Sequence, residues 1–148
     1  MLARHALPAR YLCVEVTESA VITEIGHAIE ILNRICEMGI KVAVDDFGTG
    51  YSSLAYLKHL PVHELKIDCL FVKEMINNPV DATIVQSTVA MGRNLGLKVV
   101  AEGVEDQETA NQLADYGCDA GQGYYWARPL PTPDLERWLI ETRAVVVI

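Results

Sequence analysis

The 148-residue sequence has no C-x-x-C pair, no long apolar run and no surplus of basic charge. Twelve Lys and Arg stand against twenty Asp and Glu, leaving a net charge of −8. That balance excludes non-specific attraction to DNA or to an anionic membrane, because phosphates are repelled. The apolar tail Ala144 to Ile148 has five residues, against the ~20 needed to span a bilayer, so no membrane insertion is expected. The opening MLARHALPARYLCVEV lacks the unbroken apolar stretch of a signal peptide. A cytoplasmic product, or the cytoplasmic part of a larger one, is expected. Cys13, Cys36, Cys69 and Cys118 are irregularly spaced in apolar or helical contexts, and they read as reduced core thiols rather than a disulfide or zinc framework. His59 and His63 are four apart, but Pro61 between them opposes a helix. Both read as surface or loop residues.

What the chain does have is a core. Apolar residues make up 51% of it, enough for one folded domain over residues 1–148. Five short runs read as strands: YLCVEVT, KVAVDD, ELKID, KVVAEG and AGQGYYW. Helical patterns separate them. Ile22, Ile25, Ile29, Leu32 and Cys36 share one helical face that Gly39 ends, with Thr17 or Ser19 as the cap. Ser52 and Ser53 open a short helix bearing Leu54, Leu57 and Leu60. Ile84, Thr88, Met91 and Leu95 form a third stripe, ended by Gly96. A fourth helix runs from Asp106 to Gly117. In the last, Thr132 caps, Pro133 takes the first helical position, and Leu135, Trp138 and Leu139 are expected to be buried. Met75 and Met91 read as core, and Tyr124, Tyr125 and Trp126 as core or rim packing, or as a ring able to stack on a base. Alternating strands and helices imply an α/β fold, with a parallel sheet and outer helices. GIKVAVDD at Gly39 to Asp46 also echoes GLKVVAEG at Gly96 to Gly103, with Asp45 over Glu102.

Acids stand at or near four strand ends: Glu15, Asp45 with Asp46, Asp68, and Glu102. In β/α folds ligands gather at the carboxyl ends of strands. Carboxylates crowded there repel one another and favour divalent cations, since hard ions such as Mg²⁺ take carboxylate oxygens. The alternative for Asp45 and Asp46 is a turn or helix-cap aspartate beside a solvated partner. Lys66 has its own alternative, a strand lysine that snorkels to water. Glu18 and Glu105 could each serve a helix start, and Gln122 could be a buried amide.

The stretches EVTES (Glu15 to Ser19), DDFGTGYSSL (Asp45 to Leu54), LKID (Leu65 to Asp68), AEGVE (Ala101 to Glu105) and QGYYWARPLP (Gln122 to Pro131) occur in an order that resembles the later part of an EAL domain. That family comprises bacterial phosphodiesterases that hydrolyse cyclic di-GMP to linear pGpG. The resemblance implies a TIM-type (β/α) barrel and a two-metal site for Mg²⁺ or Mn²⁺. It implies Glu15, Asp45 and Asp46 as metal ligands. It implies Lys66 as the residue that holds the attacking water, and Glu102 as a general base or metal-linked group. Glu18 would pin the loop from Phe47 to Ser53, Glu105 and Gln122 would support the site, and Pro129 and Leu130 belong to the motif after the last strand. The chemistry agrees: two divalent ions ~3.5–4 Å apart can clamp a phosphodiester and deprotonate a water, and one lysine can offset transition-state charge.

The family's Glu-Ala-Leu strand and the asparagine on the next strand, both metal-ligand positions, have no counterpart in these residues. A full barrel takes ~250 residues and eight strands. The resemblance therefore implies a partial barrel of about five strands, with the N-terminal strands missing. Little turnover is expected unless those strands are supplied. A covering partner is also expected: a second copy, an exchanged segment, or a chain carrying the earlier strands. Two further readings stand beside the phosphodiesterase: an inactive cyclic di-GMP-binding module, and a protein-interaction module. Cys69 departs from the basic or polar residue usual after LKID in the family.

Overall fold

Valines alternating with charged residues build the strands of this protein, whose computed structural model describes residues 2–23, 25–48 and 57–142. The strands are β1 (Cys13–Thr17), β2 (Lys41–Phe47), β3 (Glu64–Ile67), β4 (Lys98–Glu102) and β5 (Ala120–Gln122). All pair in parallel, in the order β1-β2-β3-β4-β5. The helices are α1 (Glu18–Thr23), α2 (Ile25–Glu37), α3 (Cys69–Glu74), α4 (Pro79–Asn94), α5 (Gln107–Tyr116) and α6 (Thr132–Thr142). Strand order equal to chain order, with helical crossovers, is the arc of a β/α barrel. Among the described residues β1 and β5 each pair on one side only.

The register divides the sheet into two unlike faces. Val42, Val44, Leu65, Ile67, Val99 and Ala101 point to the helices and are almost fully buried. They pack with Val72, Met75, Val85, Val89, Val104 and Leu113 from the outer layer. Leu65 has no exposed surface, and Leu65→Ala is expected to cost about 3 kcal/mol, read as a lower denaturant midpoint with an unchanged slope. The other face carries Cys13, Glu15, Lys41, Ala43, Asp45, Glu64, Lys66, Lys98, Val100 and Glu102, since partners in parallel register share a side.

Two helices stop by one device. At the end of α2, Gly39 takes a left-handed φ of 78°. Its N–H reaches Cys36 O, and the Ile40 N–H reaches Ile35 O. At the end of α4, Gly96 (φ 75°) does the same with Arg93 and Gly92. Each glycine then leads through an apolar residue and a lysine into a strand, which gives the sequence echo its structural form.

Several expectations need correction. The first helix is two, α1 and α2, with Thr17 Oγ1 accepting from the Ala20 N–H at 3.4 Å. On α4 the buried face is Val85, Thr88, Val89 and Gly92, while Leu95 is exposed and Ile84 and Met91 half-buried. β5 ends at Gln122, so Tyr124, Tyr125 and Trp126 lie in a turn beyond it. Helix α6 begins at Thr132 itself and buries no residue; Leu135 is exposed, and Trp138 and Leu139 are half-buried. Cys13 is exposed rather than core, and all four thiols are free. The helix expected from Ser52 lies largely outside the described residues, as does the apolar tail.

Candidate active site

Lys66 is the centre of the rim. It sits on the charged face of β3 with a side chain 7% exposed. Its ammonium lies 2.7 Å from Glu15 Oε1 on β1, 3.3 Å from Asp45 Oδ1 on β2, and 2.6 Å from Glu102 Oε1 on β4. Burial pulls the lysine down, but the hydrogen bonds to Glu102 and Glu15 and the charges of Glu102 and Asp45 outweigh it, and the net displacement is upward. The sign fixes the pH range. A cation whose affinity for its proton is raised by folding adds stability that is complete below the ordinary value of 10.5 and lost only above it. The cluster therefore keeps its charges across the neutral range.

The two aspartates owe their placement to a backbone irregularity. Between the pairs Val44↔Leu65 and Phe47↔Ile67, β2 uses one more residue than β3. Asp46 absorbs it with a left-handed φ of 54°. A bulge of this kind re-aims side chains beside functional sites. Asp45 faces Lys66, and Asp46 turns to Asp68. Burial first, then the charges of Asp45 and Asp68, push the Asp46 carboxyl above the usual carboxylate range; Lys66 opposes this, and a hydrogen bond with Asp68 adds to it. Asp68 also caps α3, accepting from the Leu70 N–H at 2.7 Å. The sequence marked Asp68 as a strand-end acid but not as the neighbour of Asp46; only the bulge brings them together.

The other expected residues divide. Glu18 is 6% exposed, and its Oε2 accepts from the Gly48 N–H at 3.2 Å, at the head of the loop it was expected to pin. Glu105 pairs with Lys73 at 2.7 Å on the exposed rim. Gln122 is exposed at the end of β5 and lines a hollow of about 590 Å³ with Glu15, Lys66, Val100 and Trp126. Pro129 is not brought to Lys66; it lines a neighbouring hollow of about 360 Å³ with Tyr124, Arg128 and Leu130. A second charged tier escaped the sequence reading. Glu64 lies 3.9 Å from both Lys41 and Lys98, beneath the first tier. Its signal was present, as charges at every second residue of three strands.

The donor chemistry fits a hard divalent ion. All candidate ligands are carboxylates, and Asp45 Oδ1 is buried with no hydrogen bond directed at it, the 3.3 Å ammonium contact being an ion pair only. Among the described residues, however, no three acidic, cysteine or histidine side chains stand at metal-ligand spacing. The carboxylates are gathered on an ammonium.

A parallel β/α sheet with acids from several strands converging at its carboxyl rim defines a barrel-type protein with an anion- or metal-handling site. The sequence profile of the EAL domain matches residues 1–129, and the chain belongs to that family. It is 46% identical over 134 residues to MucR of Pseudomonas aeruginosa, described as a bifunctional diguanylate cyclase/cyclic di-GMP phosphodiesterase, covering 90% of this chain and 20% of MucR. It is 42% identical over 140 residues to the signalling protein YkoW of Bacillus subtilis, covering 95% of this chain and 18% of YkoW. The MucR phosphodiesterase solved with c-di-GMP superposes with a TM-score of 0.87 at 46% identity, over 90% of this chain and 54% of that one. A Klebsiella pneumoniae BlrP1 complex with manganese and cyclic di-GMP gives 0.80 at 35% identity, over 86% and 33%. The chain thus spans about a fifth of these curated relatives' length.

Proposed function

We propose that this chain supplies the carboxylate-and-lysine part of a phosphodiesterase site that cleaves cyclic di-GMP to linear pGpG with Mg²⁺ or Mn²⁺. The observation that carries the reading is the convergence of Glu15, Asp45 and Glu102 within 2.6 to 3.3 Å of Lys66 at one rim. Relatives described as cyclic di-GMP phosphodiesterases add the substrate class. Glu15, Asp45 and Asp46 would hold the ions, which when bound screen the phosphodiester and acidify a water. Glu102, 20% exposed, is placed to take a proton. Lys66 orients the nucleophile and offsets charge on the phosphoryl oxygens. Glu18 holds the Gly48 end of its loop in register with the aspartates.

On this reading residues 1–148 are one EAL-like domain without the Glu-Ala-Leu strand, working in the bacterial cytoplasm. Its charged sheet face would be covered by a second copy or by strands of another chain. The test compares the 148 residues alone with the same residues joined in frame to the preceding strands of the MucR domain, both with Mn²⁺. Release of pGpG is expected from the completed barrel and little from the shorter chain. Strong hydrolysis by the short chain overturns the need for the earlier strands. A folded, complete barrel that binds the dinucleotide calorimetrically without releasing pGpG overturns the enzyme in favour of a binding module.

A further inference from the structure

Charge does not balance around Lys66. Three carboxylates face one ammonium, and the nearby described lysines are engaged elsewhere, Lys73 with Glu105 and both Lys41 and Lys98 with Glu64. The ammonium is nonetheless well held. Two short contacts, to strands on either side of β3, bring β1 and β4 to one point, and the stem is enclosed. Its third neighbour, Asp45 Oδ1, receives no hydrogen bond. A compact cation thus occupies the midpoint of oxygens suited to a divalent ion, and no preformed set of three such ligands stands apart from it among the described residues.

We infer that Lys66 is a stand-in cation: in the metal-free domain its ammonium gathers Glu15, Asp45 and Glu102, and metal loading requires it to surrender at least one of them. The inference rests on the proposed metal-dependent reading of the same site. Its physical basis is competition. A carboxylate oxygen 2.6 to 2.7 Å from an ammonium is already engaged, and a divalent ion brought to the same oxygens is repelled by the charge beside it. The lysine's four-carbon stem lets it withdraw without moving the strand. Lys66 therefore preserves the arrangement of the acids while the site waits for metal, at the cost of metal affinity. The same residue is then released toward the nucleophile when metal arrives.

The experiment is a Mn²⁺ titration of the 148-residue protein, followed by the electron paramagnetic resonance signal of free Mn²⁺, with thermal unfolding in EDTA alongside. Lys66→Met removes the charge and keeps the stem. It is expected to tighten Mn²⁺ binding about 10–100-fold, to lower Tm in EDTA, and to enlarge the rise in Tm when Mn²⁺ is added. A folded Lys66→Met protein that binds Mn²⁺ no more tightly than the parent overturns the inference. Asp45→Asn separates the two failures. If it weakens Mn²⁺ binding while Lys66→Met leaves it unchanged, the stand-in role fails and the metal site stands. If Asp45→Asn changes nothing, or if neither the parent nor Lys66→Met binds Mn²⁺, the metal reading fails and takes the inference with it. Should Lys66→Met not melt cooperatively, the parent protein labelled with ¹³C-lysine gives the answer. Saturating Mg²⁺ is expected to shift the Lys66 ε-methylene resonance, and an unmoved resonance overturns the inference.

Discussion

Replacing Asp45 with asparagine in the completed barrel is expected to lower kcat for cyclic di-GMP about 10²–10³-fold, the scale set by losing one charge aimed at the reacting centre. Asparagine matches aspartate in shape, so packing on β2 is preserved. The stability cost is expected to be small, because Asp45 Oδ1 receives no hydrogen bond that asparagine would forfeit. A large kinetic loss with an almost unchanged melting temperature, measured on one preparation, is the expected signature. Equal losses in both would mean that Asp45 serves the fold, and undamaged kinetics would remove it from the site.

Gly123→Ala is expected to be the most damaging single methyl group in the domain. A Cβ at this position would fall within the backbone of Val104. That backbone is held from both sides: the Val104 N–H donates to Gln122 O at 3.1 Å, and the Tyr125 N–H donates to Val104 O at 3.0 Å. Neither chain can yield without breaking these bonds, and Val104 is itself fully buried in the core. The expected loss is about 3 kcal/mol, at the upper end for overpacking because the obstacle is backbone rather than a side chain. Loss of amide protection in β5 ahead of β2 and β3, followed by hydrogen exchange, would localise the damage. Uniform loss across the sheet would show that the junction between Val104 and Gly123 is not where the strain falls.

How much of this was legible beforehand depended on whether local chemistry or packing made the decision. Strands β1 to β4 were legible because Val42 and Val44, or Val99 and Ala101, alternate with charged residues. The glycine stops were legible because only a residue tolerant of positive φ ends a helix in that way. The buried face of α4 was misread. Val80, Ile84, Val85, Val89, Met91 and Leu95 spread apolar surface around much of the helix, and contact with β4 selects Val85 and Val89. β5 was drawn too long because Tyr124, Tyr125 and Trp126 favour strands in isolation, whereas the close approach at Gly123 ends the ladder. At the site, the residues themselves were legible through the ordered motifs. The bulge in β2 that turns Asp46 toward Asp68 was not, since nothing in VAVDDF marks where the register slips. Nor was the position of Lys66 among three acids, which depends on the pairing of four strands at once.

The backward twist of Asp46 has a consequence for the history of the domain. A side chain at φ 54° is held in a conformation that glycine adopts freely and that costs most residues about 1–2 kcal/mol. Mutation left to itself would therefore drift toward glycine here and gain robustness. A lineage that keeps an acid at this awkward corner is giving up stability for something other than folding, and descendants relieved of that duty should relax here before their hydrophobic interior begins to erode.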